Sequence, residues 1–293
     1  MRPIISTREL AEAINVSESS LKRWADDGII NVSKTAGGHR RIAIGEAIRF
    51  IRSTKAPLVR PDVLGLSDLS PGGEHLTSPD DPSDRLFAHL FEGRAREVRG
   101  LLLSLYLAGQ SVAQISDGPI RSAMTRLGEL WKHDVAGVFL EHRATDICIQ
   151  AIQLLRQFVE PQDRRFVALG GAAPGDPYVI PSLLCATAMA AEGWQSINLG
   201  PDTPIESIQV ATERHAPKLV WLSISSMRDA RELEKSLGQL AETLKSRDVA
   251  FVVGGRAGET LPVESMPLRF ARSIAELVTI AGELTGPTDA IAK

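Results

Sequence analysis

Residues 166–199 read FVALGGAAPGDPYVIPSLLCATAMAAEGWQSINL, and they decide the fold of the second half of the chain. The stretch begins with a short apolar run at 166–169 and ends with another at 196–199, and a helical pattern near 181–192 lies between them. Short apolar runs joined by helices predict a parallel β-sheet. The same alternation continues with strands predicted at 219–224, 250–253 and 268–271, and helices near 204–214, 228–246, 258–262 and 273–284. Residues 161–286 are therefore predicted to form an α/β doubly wound, Rossmann-like domain, followed by a short tail at 287–293.

The preceding zone, residues 84–160, has the apolar spacing of helices. Leu86, Leu90, Leu101 and Leu105 recur at steps of three or four residues within it. Breaks near 108–110, 117–119 and 134 divide the zone into segments. Helices of this length with short connections predict a four-helix bundle.

Residues 57–83 differ from both zones in composition. They are rich in Pro, Gly, Ser and Asp and show no sustained apolar period. Such a composition predicts a flexible linker, because it offers too little apolar surface to order itself. The chain is thus predicted to be a multidomain protein, with a small N-terminal domain at 1–56.

The net charge of −3 is unevenly distributed along the chain. Residues 1–56 hold ten Lys and Arg against six Asp and Glu, a net +4, so the remainder carries −7. A basic segment on an acidic body is typical of a protein whose one end meets a polyanion. The chain has no apolar run long enough to cross a membrane and begins without a signal-peptide core, which predicts a cytoplasmic protein.

The chemistry-bearing residues exclude several classes of enzyme. The sequence contains no phosphate-binding P-loop, no zinc-type set of Cys and His, and no nucleophile elbow. We therefore expect neither an enzyme with catalytic residues nor a site in which protein residues bind a metal. The two cysteines, Cys148 and Cys185, lie far apart in apolar runs, which favours buried thiols over a disulfide.

The first domain has the signals of a helix-turn-helix. Ser6 and Glu9 have the spacing of a capping box, and Ser17 is placed to cap a second helix that ends at Gly28. Residues 30–32 and 41–43 are predicted to pair as a hairpin across 35–38. In such a unit the second helix enters the DNA groove and guanidinium groups suit phosphate. The predicted DNA contacts on the helix and the hairpin tip are Ser19, Ser20, Lys22, Arg23, His39, Arg40 and Arg41.

These residues carry a resemblance to a known family. The initial pair of helices, the stretch Asp27-Gly28-Ile29-Ile30 and the stretch Gly38-His39-Arg40-Arg41-Ile42 together resemble the MerR family of winged-helix regulators. The resemblance covers the first domain and implies a winged helix-turn-helix that binds a double-stranded DNA operator. Arg23 and Arg40 are the strongest candidates for phosphate contacts.

In the helical zone, Trp131 is followed ten residues later by Glu141-His142. Spacing alone leaves two interpretations open, a polar ligand group or a solvated Glu–His pair at the edge of the bundle. In its setting before a doubly wound domain, the pattern resembles the MerR-type cobalamin photoreceptor repressors of the CarH type. That resemblance implies that the bundle caps the upper face of adenosylcobalamin, and that light changes a homo-oligomer, a dimer or a tetramer. The upper-pocket residues that it implies are Trp131, Val138, Glu141 and His142.

In the last domain the same resemblance places Ser223, Ser225, Gly254 and Gly255 beside the nucleotide tail of the corrinoid. The family's cobalt-ligand motif, Asp-x-His-x-x-Gly, is broken. Asp176 is retained, but Tyr178 stands in place of the His and Pro181 in place of the Gly. A phenol with a pKa near 10 is a poor ligand at neutral pH, so we predict no lower-face ligation by the protein.

Three interpretations of the sensor therefore remain. It holds a corrinoid without a lower protein ligand, it holds another tetrapyrrole or a bilin for which Asp176 and Tyr178 line the site, or it binds nothing and serves as an oligomerising or partner-binding scaffold. Covalent attachment of a bilin through Cys148 or Cys185 belongs to the second. The predicted function is a DNA-binding transcriptional regulator, expected to be a repressor. A corrinoid carrier for methyl transfer is the alternative from another class.

Overall fold

The computed structural model describes residues 4–69, 81–130, 135–159 and 166–286. The described residues up to Ser111, together with Gly118–Val159, form one compact unit. Val112–Asp117 and the described residues from 166 onward form a second. This division differs from the predicted boundaries, because the N-terminal segment and the helical zone belong to one unit. None of the helices in the described ranges is both long enough and apolar enough to cross a membrane.

The first unit begins with short elements: β1 (Ile4–Ser6), α1 (Thr7–Ala13), α2 (Glu18–Asp26), β2 (Ser33–Lys34), β3 (Arg40–Ala43) and α3 (Ile44–Thr54). The strands form an antiparallel sheet in the order β1-β3-β2. The predicted capping box is confirmed, since the Ser6 hydroxyl accepts the Glu9 amide and the Glu9 carboxylate accepts the Ser6 amide. Ser17 caps α2 through the Ser20 amide, also as predicted.

The hairpin pairs later in the sequence than predicted. Residues 33 and 34 pair with Arg41 and Arg40, whereas residues 30–32 form no strand. Ile30 is buried in the core instead, and the Asn31 amide donates to the Glu46 carboxylate at 2.7 Å. Residues 30–32 do not pair as a strand, because the Ile30 side chain is buried in the core and the Asn31 amide already donates to Glu46. The hairpin turn is therefore formed by residues 35–39.

The first half of the predicted linker is packed rather than flexible. Pro61–Leu64 form a 3-10 turn, and Leu64, Leu66 and Leu69 are buried in the same core as α1 and α3. The amides of residues 59 and 60 both donate to the Ala13 carbonyl. Three leucines in a Pro- and Asp-rich background are thus enough to anchor residues 57–69. The rest of the predicted linker, residues 70–80, lies outside the described residues.

Four helices of the first unit pack against one another: α4 (Pro82–Glu92), α5 (Ala95–Leu107), α7 (Arg121–Leu130) and α8 (Val135–Val159). This agrees with the predicted four-helix bundle. The break predicted at 117–119 is a π-helical turn, Ser116–Ile120, which follows the short helix α6 (Val112–Ile115). α6 belongs to the second unit and packs on two of its helices.

The N-terminal segment and the bundle share one apolar core. Phe50 and Ile51 of α3 lie in the same cluster as Leu103 of α5 and Phe158 of α8. The Arg52 guanidinium donates to the carbonyls of Tyr106 and Gln110 at the end of α5, and its carbon lies 3.6 Å from the centre of the Tyr106 ring. A cation at a helix C-terminus satisfies carbonyls that have no partner in the helix. The N-terminal segment is therefore fixed to the bundle.

The second unit is a parallel sheet with helices on both faces, as predicted. Its elements are β4 (Val167–Ala172), α9 (Val179–Ala191), β5 (Gln195–Asn198), α10 (Ile205–His215), β6 (Leu219–Ser223), α11 (Ala230–Ser246), β7 (Ala250–Gly254), β8 (Arg269–Ala271) and α12 (Ile274–Thr285). The strand order is β5-β4-β6-β7-β8, and α10 and α11 cover one face while α9 and α12 cover the other. The helix predicted at 258–262 is only a 3-10 turn, Gly258–Thr260.

We predict that Leu64→Ala lowers the free energy of unfolding of the first unit by about 2–5 kcal/mol, because it leaves a cavity in a filled core. Val59→Ala, in the same segment but at an exposed position, is the matched control and is expected to change it by about 0.5 kcal/mol or less. Urea unfolding of the two variants measures this difference. Equal, small effects would mean that residues 57–69 are a linker after all.

Candidate functional site

The strand order identifies one edge of the second unit as the place for a ligand. β4 and β6 are neighbours, and the chain leaves them in opposite directions along the sheet, to β5 and to β7. In open parallel sheets, ligands bind outside the carboxyl ends of the strands where the order reverses. The loop after β4 carries Asp176 and Tyr178. Ser223 ends β6, and Ser225 lies in the loop that follows it.

Asp176 is fully buried and holds these loops together. One carboxylate oxygen accepts the Tyr178 amide at 3.1 Å, and the other accepts the Ser225 amide at 2.6 Å. The Asp176 carbonyl in turn accepts the Asp202 amide at 2.8 Å, and the Asp202 carboxylate accepts the Gly175 amide at 2.6 Å. The Asp176 carboxylate therefore joins the loops after β4 and β6, while its backbone carbonyl and the Asp202 carboxylate join the loop after β5 to them.

Burial makes the ionised form of the Asp176 carboxyl unfavourable in this position. Loss of solvent raises the pKa of the Asp176 carboxyl above its usual 3.8, although backbone amides of residues 225, 178 and 226 and the Arg256 guanidinium act in the opposite direction. The buried group thus depends on its amide donors, since a buried carboxylate without them is strongly unfavourable.

Tyr178 lies beside Asp176 but faces solvent, with 39% of its surface exposed. The Arg256 guanidinium lies 5.9 Å from the centre of the Tyr178 ring, and its Nε donates to the Ser225 carbonyl at 3.2 Å. Arg256 was missed by sequence reasoning, although it follows the Gly254-Gly255 pair directly. Its place in the sequence could have identified it, because a guanidinium that directly follows the carboxyl end of a parallel strand lies where such sheets bind ligands.

The other predicted residues of this unit lie on the ends of β6 and β7. Ser223 is buried, with its hydroxyl 3.5 Å from the Gly171 carbonyl, and Ser225 contributes backbone rather than its hydroxyl to the contacts around Asp176. Gly255 has a positive φ of 104°, and a Cβ there would lie 2.5 Å from the Ile224 carbonyl oxygen. The glycine is thus required by the protein's own backbone.

The residues predicted from the bundle lie on α8, except that Trp131 lies outside the described residues. Glu141 is half-buried and its carboxylate accepts the Thr145 hydroxyl at 2.9 Å. His142 is 74% exposed, with Nε2 3.6 Å from a Glu141 oxygen. Val138 is half-buried on the same face as Glu141, one turn earlier. His142 is thus solvated and Glu141 is half-buried, and both interpretations of the pair stay predictions.

The residues predicted to contact DNA lie on α2 and the hairpin. The hydroxyls of Ser19 and Ser20 each lie 2.8 Å from the Ser17 hydroxyl, so both are engaged at the start of α2. Lys22 forms an exposed ion pair with Glu18 at 3.1 Å, while Arg23 points to solvent further along the helix.

On the hairpin, His39 and Arg41 are exposed, but Arg40 is not free to move. Its guanidinium lies 2.5 Å from the Asp26 carboxylate at the end of α2, and its buried Nε finds no partner within the described ranges. Arg40 therefore fixes the hairpin to α2. Arg41, the next residue of β3, is exposed to solvent.

The two cysteines do not offer an attachment point for a bilin. Cys148 is fully buried in α8, and burial raises the pKa of its thiol to about 12. Burial, together with the Asp117 carboxylate, likewise raises the pKa of Cys185 to about 12. Thiols in this state are poor nucleophiles at neutral pH. In the described ranges, no cluster of His, Cys, Asp and Glu is arranged to hold a metal ion.

One family of known proteins matches part of this chain. Residues 83–156, the bundle, match the family described as B12 binding domain. None of the curated proteins matches the chain. The chain thus carries a cobalamin-binding-like module, in which the parallel sheet with its flanking helices fits a Rossmann-like B12-binding domain.

Solved structures resemble the chain at low sequence identity. The monomethylamine corrinoid protein of Methanosarcina barkeri aligns with 69% of this chain and 98% of its own, with a TM-score of 0.52 and 18% identity. The methanol:cobalamin methyltransferase complex MtaBC of the same organism (TM-score 0.37, 20% identity, 80% and 92% covered) and a cobalamin-binding protein from Desulfitobacterium hafniense DCB-2 (0.35, 19%, 71% and 100%) are more distant. The first likeness supports the fold.

The residues of the sheet edge do not fit a corrinoid that is held by a lower-face histidine. Tyr178 stands where the resemblance would place that ligand, and residues 172–179, AAPGDPYV, supply no imidazole, amine or thiol. What the edge retains is the carboxylate that orders its loops.

We predict that burial of Asp176 leaves a signature in the pH dependence of stability. A carboxyl group whose pKa is raised by folding stabilises the fold below its usual pKa of 3.8, and that contribution is lost as the pH rises through the folded-state value. The unfolding free energy of the wild type relative to Asp176→Asn should therefore fall as the pH rises from below 3.8. Urea unfolding over a pH series measures this difference.

The matched control is Glu259→Gln, which removes an exposed carboxylate from the same unit. A difference between wild type and Asp176→Asn that rises with pH would show that the amide donors outweigh burial.

Proposed function

We propose that this protein is a DNA-binding transcriptional regulator of the winged-helix type, a repressor whose cobalamin-binding-like module takes a tetrapyrrole-type ligand. The observation that carries the proposal is the arrangement of the first unit. Two short capped helices, α1 and α2, stand beside a three-stranded sheet whose hairpin carries exposed basic residues. Helix pairs of this kind place the second helix in the major groove.

The exposed cations of this arrangement lie on two elements, α2 and the hairpin. Arg23 on α2, and Lys34 and Arg41 on the hairpin, are exposed and are the proposed phosphate contacts. Arg40, which sequence reasoning favoured for a phosphate, is engaged with Asp26 and instead positions the hairpin. Phosphate contacts supply most of the affinity in such complexes and base contacts supply the specificity.

The ligand class rests on the match of the bundle to the B12 binding domain and on the fold of the second unit. We call the elements from β1 to α3, residues 4–54, the DNA reader. Ligand binding would change the affinity of this reader for DNA, because α3 shares one core with α5 and α8 of the helical bundle. It would also change how many readers meet one operator, if the protein assembles as a dimer or tetramer. Light sensing belongs to this proposal only as a property of the bound ligand.

A corrinoid carrier is the second candidate, and the likeness to the monomethylamine corrinoid protein favours it. Two features of this chain weigh against it. Tyr178 stands where such a carrier would need a lower-face histidine, and the basic N-terminal segment has no role in methyl transfer. Failure of the chain to bind duplex DNA at low salt would favour the carrier.

We predict that the full chain binds duplex DNA of mixed sequence with an affinity that falls as salt rises. Arg23→Ala and Arg41→Ala should each lower the slope of log affinity against log salt concentration by about one, because each removes one phosphate-neutralising charge. Fluorescence anisotropy over a salt series measures the slopes.

Lys245→Ala is the control, because it removes an exposed positive charge from the second unit. Its slope should equal that of the wild type. Wild-type slopes in both arginine variants would contradict the proposed DNA surface.

A further inference from the structure

The space beside Ser223 is filled by the protein itself. Along β6, Leu219, Trp221 and Ser223 point to the face covered by α9 and α12. Trp221 is 1% exposed and packs there in one cluster with Met189 of α9 and Ile280 of α12. The largest side chain of the sheet thus lies two residues before Ser223, beside which the resemblance places the nucleotide tail.

Glycines near Trp221 do not open a cavity. A Cβ on Gly170 would lie 2.4 Å from the Trp221 indole, so this glycine makes room for the tryptophan. A Cβ on Gly254 would lie 2.6 Å from the Ala271 carbonyl oxygen, and the bare Cα of Gly255 rests on Ile224 in the same way. At each of the three glycines the place of a Cβ is therefore taken by protein atoms, so these glycines serve the packing of the sheet itself.

The environment of Trp221 Nε1 indicates what holds the indole in place. This N–H is buried and has no hydrogen-bond partner among the residues that the structure describes. A buried donor without a partner is unfavourable, so packing against the neighbouring side chains, and no polar contact, holds the indole in place.

Cobalamin carries a nucleotide tail whose benzimidazole nitrogen coordinates the lower face of cobalt in neutral water. Releasing that base breaks a cobalt–nitrogen bond, which a protein compensates by supplying its own nitrogen and a cavity for the tail. In the part of the chain that the structure describes, the loop after β4 offers no such nitrogen, because Tyr178 is a phenol, and Trp221 fills the sheet face beside Ser223. We infer that the module binds cobalamin with the tail outside the sheet and the benzimidazole still on the cobalt. The inference rests on the proposed ligand class and names the form in which that ligand is taken.

The test uses the full chain with Co(II) cobalamin whose benzimidazole carries either ¹⁴N or ¹⁵N, read by electron paramagnetic resonance after gel filtration. We expect the nitrogen splitting of the bound cobalt to be a triplet with ¹⁴N and to become a doublet with ¹⁵N. Loss of nitrogen splitting would overturn the inference, because it means that the base has left the cobalt. A triplet that persists with ¹⁵N would overturn it too, because it means that a protein nitrogen has replaced the base.

Tyr178→His is the matched variant, since it adds an imidazole without making room for the tail. The ¹⁵N doublet should persist in this variant; conversion to a triplet would show that Trp221 does not exclude the tail, and would overturn the inference. Failure of any cobalamin to co-elute with the wild type is a different result. It would remove the proposed ligand class, and the inference with it, while leaving the DNA-binding proposal in place.

Discussion

The apolar core shared by α3, α5 and α8 is the constraint on which the first unit depends. Phe50 and Ile51 meet Leu103 and Phe158 in it, and Arg52 closes it by donating to the last carbonyls of α5. A domain tethered by a flexible segment would move independently of its neighbour. Here the bundle packs directly against α3, the helix that supports the proposed DNA reader, and this contact is the route by which we propose that ligand and DNA influence each other.

The second unit depends on a different kind of contact, a buried charge. Asp176 holds the loops after β4 and β6 through backbone amides, and its own carbonyl holds the loop after β5 through Asp202. The edge is therefore ordered by Asp176 while the loop after β4 contains no histidine. An ordered edge with no cobalt ligand in the loop after β4, and with Trp221 packed on the sheet face, agrees with the proposed binding of a corrinoid that keeps its own axial base.

The sequence predicted the regular elements well and the contacts between them poorly. Strand and helix periods placed the five parallel strands, and capping residues placed α1 and α2, because both signals are local. The linker prediction failed over residues 57–69, since composition cannot reveal that Leu64 and Leu66 find a core formed by distant segments. The roles of Arg40, which binds Asp26, and of Trp221, which fills the space over Gly170, depend likewise on partners far away in sequence.

Linkage between DNA and corrinoid binding tests the central claim, that reader and module act as one, most directly. The affinity of the full chain for duplex DNA is measured at fixed salt with and without saturating aquacobalamin, and the affinity for aquacobalamin with and without DNA. We expect both to change by the same factor, about fivefold or more, which corresponds to a coupling free energy of about 1–3 kcal/mol. Tight binding of each ligand with no effect of either on the other would contradict the claim.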